Sequence, residues 1–297
     1  MFLKKNNTIG IIAPAGFLKE KKDLNDTLTL IKSWNLQYKL AENLFNKHHH
    51  FAGTDNERVQ DFQNFLDDKS IKAIWCVRGG YGSIRIIDKL DFTQYKKHPK
   101  WIIGYSDITV FHQAIHNLGF ESIHSFMPTS TKTILENKSA VTNFKNTLFG
   151  EDICYSIKPN NYNKLGKVTS KIIGGNLAII ASLLGTKYAI KENFILFIED
   201  IGEYKYNIDR MLHSLKLNNY FKNCKGLIVG SFTKIKKNNP DFGQTIEEII
   251  LNIVSDYNFP VCFNFPAGHL DNNNPIIFGR EVVLNVTTNS VTLNFNH

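Results

Sequence analysis

Apolar positions in the first half of the chain fall into two alternating rhythms. Residues 8–13 form a short apolar run stopped by Pro14, Ala15 and Gly16, which predicts a strand followed by a turn. Residues 22–34 carry Leu24, Leu28 and Ile31 at helical spacing. Residues 55–67 place Val59, Phe62 and Phe65 or Leu66 on one helical face, with Thr54 as N-cap. Residues 71–77 and 101–105 are continuous apolar runs, the pattern of strands buried on both faces of a parallel sheet. Residues 107–118 return to helical spacing, closed by Gly119. Strand and helix in alternation predict a doubly wound α/β domain.

The rhythm breaks between about 130 and 165, where Asn, Lys and Thr dominate; this stretch predicts a crossing between domains, with a short helix at 139–148. Beyond it, strands at 167–173, 194–198 and 227–232 alternate with helices at 176–184, 208–217 and 245–257. Short strands at 281–286 and 290–295 follow, so the second half is mixed α/β with more β towards its end. A length of 297 residues exceeds what one core usually covers. The expected division is therefore 1–130 as a first domain, 131–165 as a linker region and 166–297 as a second domain.

Composition adds little to this picture: 42% hydrophobic and 21% charged residues are ordinary for a globular chain. The net charge of +8 comes from scattered lysines, and the densest groups, at 19–22 and 234–237, are short. Without an arginine-rich stripe or zinc-finger spacing, nucleic acid is not expected as the target. The charge reads first as solubilising surface, and it would also favour a peptide bearing carboxylates. Cys76, Cys154, Cys224 and Cys262 form no CxxC pair, so zinc and thioredoxin-type chemistry are not signalled. Reduced thiols fit the cytoplasm. The N-terminal IGIIAPAGF is broken by Pro14 and followed by KEKK, which makes it a poor signal peptide and too short a membrane span.

Candidate chemistry begins at Ser106, where the apolar strand passes directly into a helix. That junction projects a hydroxyl at the C-terminal edge of a sheet, where open α/β folds place their sites. The helix start behind it offers free N–H groups to an oxyanion. Read alone, the Gly-x-Ser-Asp pattern serves equally well as a helix cap. Arg78-Gly79-Gly80-Tyr81-Gly82 follows another strand, and its glycines allow a tight turn close to a ligand. Neither GxGxxG nor GxxxxGK[ST] fits it, which leaves a plain turn or an oxyanion donor at Gly80. A serine nucleophile needs a base and an orienting acid. Of the ten histidines, His269 is distinguished by the Pro266-Ala267-Gly268 turn that presents it. His48, His49 and His50 lack accompanying acids, and His112 and His116 lack the HExxH pattern; His98, His124, His213 and His297 have no distinctive setting. Glu199 stands at the end of the apolar run Phe194-Ile195-Leu196-Phe197-Ile198 and is the candidate acid.

Together these residues resemble the LD-carboxypeptidases of murein recycling. The resemblance runs through seven blocks in order: IGIIAPAG, AGTDNERVQDF from Ala52, AIWCVRGGYG from Ala73, IIGYSDIT from Ile102, GGNL from Gly174, FIEDIGE from Phe197 and FPAGH from Phe265. It implies a flavodoxin-like N-terminal domain that supplies the serine and a C-terminal swivelling β/β/α domain that supplies the acid and base. It implies a catalytic triad of Ser106, Glu199 and His269, with the amides of Gly80 and Asp107 as oxyanion donors. It further implies a cytoplasmic homodimer, without metal or other cofactor, that removes terminal D-alanine from murein tetrapeptides. Arg78 and Arg210 are candidate partners of the substrate carboxylate, and Tyr81 is a further candidate contact. A related branch cleaves microcin C-type peptide–nucleotides; it carries an extra aromatic-bearing loop where this chain is compact. A murein-peptide-binding protein without turnover is the non-enzymatic alternative.

Overall fold

The computed structural model describes residues 1–136 and 138–295, so Asn137 of the linker stretch and His297 lie outside the described residues. The strands, in chain order, are β1 (Thr8–Ile12), β2 (Gln37–Leu40), β3 (Ile71–Cys76), β4 (Trp101–Gly104), β5 (Ser122–His124), β6 (Cys154–Ile157), β7 (Gly166–Asn176), β8 (Phe194–Ile201), β9 (Cys224–Thr233), β10 (Val261–Cys262), β11 (Ile276–Phe278), β12 (Glu281–Val286) and β13 (Val291–Phe295). They form two sheets.

The first sheet has the order β11-β5-β4-β3-β1-β2. Its first five strands in sequence run parallel, in the flavodoxin-like order 2-1-3-4-5. The apolar runs of β1, β3 and β4 are almost wholly buried, as strands covered on both faces must be. In such a fold the order reverses between β1 and β3, and ligands bind outside the carboxyl ends of the strands there. The loops leaving those ends are the Pro14-Ala15-Gly16 turn and the glycine loop after Val77. They are bonded to each other, Gly16 N donating to Gly79 O at 3.0 Å.

The helix Asp55–Asp67 begins with a full capping box at Thr54 and Glu57. Its last turn is closed by Lys100, whose buried ammonium donates to the carbonyls of Phe65, Leu66 and Asp68 at 2.7–2.9 Å.

The second sheet has the order β10-β9-β8-β7-β12-β13-β6. β7 serves two neighbours: Gly166 to Lys171 pair antiparallel with β12, and Ile172 to Asn176 pair parallel with β8. Two segments differ in place from the sequence reading. β6, inside the stretch read as a linker, pairs with β13 at the edge of the second sheet. β11, inside the stretch read as the second domain, pairs antiparallel with β5 and closes the first sheet. Short strands of this kind are placed by long-range pairing, which local pattern does not carry. Among the described residues no helix is long and apolar enough to cross a membrane.

Candidate active site

β4 ends at Gly104, and two residues later the backbone turns sharply. Ser106 adopts φ +61°, the left-handed region that non-glycine residues rarely enter. Holding it there costs on the order of 1 kcal/mol, and such strain concentrates at functional sites. The turn Ser106–Ile108 is a 3₁₀ helix, and the α-helix Thr109–Asn117 continues from it. The regular helix therefore starts two residues later than its spacing predicts. Thr109 Oγ1 donates to Ser106 O at 2.6 Å and locks the turn.

The glycine loop packs directly against this turn. A Cβ on Gly79 would lie 3.0 Å from Ser106 Cβ, 3.1 Å from its Oγ and 3.3 Å from Asp107 N, so any side chain there would crowd the serine turn. Gly80 sits beside it at φ +102°. The buried Asp107 carboxylate accepts from Ser83 N at 2.8 Å, which ties the far end of the loop to the serine turn. Burial raises the pKa of Asp107, opposed by that bond. Arg58, also buried, donates to Pro14 O and Gly82 O and so spans both loops.

The candidate base and the candidate acid meet in the second sheet. His269 Nδ1 bonds Glu199 Oε2 at 2.6 Å; Glu199 is fully buried at the end of β8 and His269 is largely buried. The segment carrying His269 lies along the end of β9, the strand next to β8. Phe265 N donates to Val229 O, Ser231 N to Ala267 O, and Thr233 Oγ1 to His269 O. Gly268, at φ +114°, is pressed so close that a Cβ would come within 2.8 Å of Glu199 Cβ. With Nδ1 engaged by the carboxylate, Nε2 is the nitrogen left to exchange a proton.

The two halves are joined at the serine turn itself. Asn176, opposite Glu199 in the β7–β8 register, donates its backbone N–H to Thr109 Oγ1 at 3.0 Å, and Thr109 in turn bonds Ser106 O. A Cβ on Gly175 would stand 2.3 Å from Thr109 Oγ1. Tyr105, the residue before Ser106, packs its ring edge-on against His269 with centroids 4.8 Å apart. Ser106 Oγ makes no hydrogen bond to a described residue. His269 and Glu199 are thus bonded as a pair, and the serine turn is linked to them through Tyr105, Thr109 and Asn176. Thr109, Gly79, Gly175, Gly268 and Tyr105 all stand inside or beside the recurrent sequence blocks, yet only their tertiary contacts reveal what they do.

The other candidates are placed as follows. Arg78 donates to Phe17 O at 3.0 Å. Tyr81 is exposed and faces the rings of Phe51 and His50. Arg210 is exposed on the helix Lys205–Leu217, bonded to Asn207 and stacked over Tyr206. His112 is fully buried between Ser122 Oγ and Gly104 O, and burial pushes its pKa down to about 4. Among the described residues no group of three or more His, Cys, Asp and Glu side chains is arranged to hold a metal ion.

Asp200 follows Glu199 in β8 and is held by its own set of donors. Its carboxylate accepts from Asn176 Nδ2 at 2.9 Å, Ala178 N at 3.0 Å and Ile201 N at 2.8 Å. Burial nevertheless pushes its pKa from 3.8 up to about 6. Between those pH values the folded protein keeps a proton that the unfolded chain has lost, so stability from this group falls as pH rises through the window. Asp200→Asn removes the titration and turns one amide N–H towards backbone donors, which costs stability at every pH. The variant is expected to be less stable than the parent, with the gap narrowing by about 2 kcal/mol between pH 4 and pH 7. Urea unfolding of both proteins at the two pH values measures this; a gap independent of pH would contradict it.

Comparison with known proteins agrees with this architecture over nearly the whole chain. The LD-carboxypeptidase N-terminal domain matches residues 9–125, and the LD-carboxypeptidase C-terminal domain matches residues 169–284. A probable murein peptide carboxypeptidase of Bacillus subtilis (strain 168) is 33% identical over 297 residues, spanning 98% of this chain and 92% of its own. The crystal structure of muramoyltetrapeptide carboxypeptidase from Oxalobacter formigenes superposes with a TM-score of 0.86 at 26% identity, covering 98% of this chain and 99% of the other. The microcin C7 self-immunity protein MccF, in complex with aspartyl sulfamoyl adenosine, shares the fold with a TM-score of 0.86 at 19% identity, covering 98% and 97%. With both domain matches in order and a serine turn, glycine loop and His–Glu pair gathered at their junction, the chain belongs to the LD-carboxypeptidase family.

Proposed function

We propose that the chain is a serine carboxypeptidase that releases terminal D-alanine from murein tetrapeptides. The observation that carries this reading is the buried His269–Glu199 bond, tied through Asn176 and Thr109 to a serine held in a left-handed turn. In the reaction, Ser106 Oγ attacks the carbonyl before the terminal D-alanine. His269 Nε2 takes the hydroxyl proton and passes it to the departing amine. Glu199 holds the imidazole in one tautomer and stabilises its cation. The hydroxyl–imidazole bond forms when substrate fills the cleft, as catalytic hydrogen bonds commonly complete themselves in the substrate complex. The amides of Gly80 and Asp107 receive the oxyanion, each worth about 3 kcal/mol of barrier lowering. Water then hydrolyses the acyl-enzyme by the reverse proton path. The names of the relatives support murein peptide as substrate, and the resemblance supports a cytoplasmic homodimer as the working form.

Incubation of the purified chain with a murein tetrapeptide, with detection of free D-alanine, tests this reading. Cleavage of an aminoacyl sulfamoyl adenosine without D-alanine release would instead assign the microcin-type activity. Tetrapeptide binding without turnover of either compound would assign the non-enzymatic role.

A further inference from the structure

A cavity of about 290 Å³ opens beside His269, bounded by Tyr105, Ser130, Lys234, Asp271 and Asn273 among others. Lys234 is its one cation among the described residues. It follows Thr233, whose hydroxyl bonds the carbonyl of His269, so its backbone is fixed relative to the imidazole. It sits at φ +50°. Among the described residues, the non-glycine positions with positive φ are four asparagines, His49, Ser106 and Lys234. Of the three without an asparagine's tolerance for this region, Lys234 lines the cavity and Ser106 directly follows Tyr105, which also lines it.

Other cations nearby are engaged. Arg78 donates to Phe17 O, Arg210 is bonded to Asn207, Lys205 donates to Gln244 O and Lys236 covers the Tyr204 ring. The Lys234 ammonium makes no hydrogen bond or ion pair with a described residue. Asp271 borders the same cavity without pairing with it. An unengaged ammonium on a strained, anchored backbone, facing a cavity shared with the base, suits an anionic ligand group. Resting on the carboxypeptidase reading above, we propose that Lys234 receives a carboxylate of the peptide substrate. A tetrapeptide offers that chemistry at its terminal D-alanine and, where diaminopimelate is third, on that side chain.

Lys234→Met is expected to lower kcat/KM by about 10–100-fold, mostly through KM, as loss of one charged hydrogen bond does. Lys234→Arg is expected to retain activity within a few-fold. Tetrapeptides with lysine or with diaminopimelate at the third position separate the two sources. An equal loss on both assigns the terminal carboxylate, and a loss confined to the diaminopimelate peptide assigns the side chain. Calorimetric binding of the same peptides to Ser106→Ala, with and without Lys234→Met, reads the subsite independently of turnover. D-alanine release by the parent chain therefore judges the reaction, and the binding ratio judges the lysine. Peptide binding unchanged by Lys234→Met, or absent from both proteins, overturns the proposal.

Discussion

Ser106→Ala is expected to reduce D-alanine release by at least about 10⁴-fold while leaving the fold intact. In the proposed reaction Ser106 Oγ is the atom to which the acyl group is transferred, so no neighbour can take its place. The hydroxyl makes no hydrogen bond to a described residue, and its loss leaves no buried partner unsatisfied. Alanine pays the same left-handed backbone cost at φ +61° as serine. The lock on the turn is the bond from Thr109 Oγ1 to the backbone carbonyl of residue 106, which the substitution does not touch. Unfolding free energy should therefore stay within about 0.5 kcal/mol of the parent. Kinetics at saturating tetrapeptide, together with urea unfolding, test both halves. Turnover within tenfold of the parent would remove Ser106 from the mechanism. A large loss of stability would show that the side chain also holds the turn.

How much of this was legible beforehand follows from where each residue's constraint lies. β1, β3 and β4 are readable because strands buried on both faces must be continuously apolar. β2 is not, because it is a four-residue strand, Gln-Tyr-Lys-Leu, half open to solvent. β6 and β11 are not readable for a topological reason: three or four residues say nothing about which distant strand they will join. Ser106 stands just after β4, Glu199 in the last residues of the apolar run of β8 and His269 after a Pro-Ala-Gly turn, and each of these settings can be recognised locally. That His269 bonds Glu199 is a property of two adjacent strands, β8 and β9, whose pairing is tertiary. The same distinction separates the cations. Arg78 and Arg210 are suggested by residue type and by position after a strand or on a helix, whereas Lys234 is singled out by a cavity assembled from both halves of the chain.

Glu199→Gln should lower kcat by about 10³–10⁴-fold with little change in KM, and without loss of stability. A carboxylate wholly removed from water is costly unless a partner repays the desolvation. Here one oxygen, Oε2, is bonded to His269 Nδ1, and Oε1 has no hydrogen-bond partner among the described residues. Glutamine keeps the shape and can still accept from Nδ1–H, so the imidazole stays in place and substrate binding is preserved. What disappears is the negative charge that, in the proposed reaction, stabilises the imidazolium as Ser106 gives up its proton, an interaction made in the transition state and not in the ground state. The thermal midpoint is therefore expected to hold or rise while turnover collapses. If Glu199 served the fold instead, the opposite would follow: the midpoint would fall and the residual folded enzyme would turn over normally. Measuring both quantities on one preparation separates an acid kept for its charge in the reaction from one kept for packing, at a position where the carboxylate is fully buried against His269.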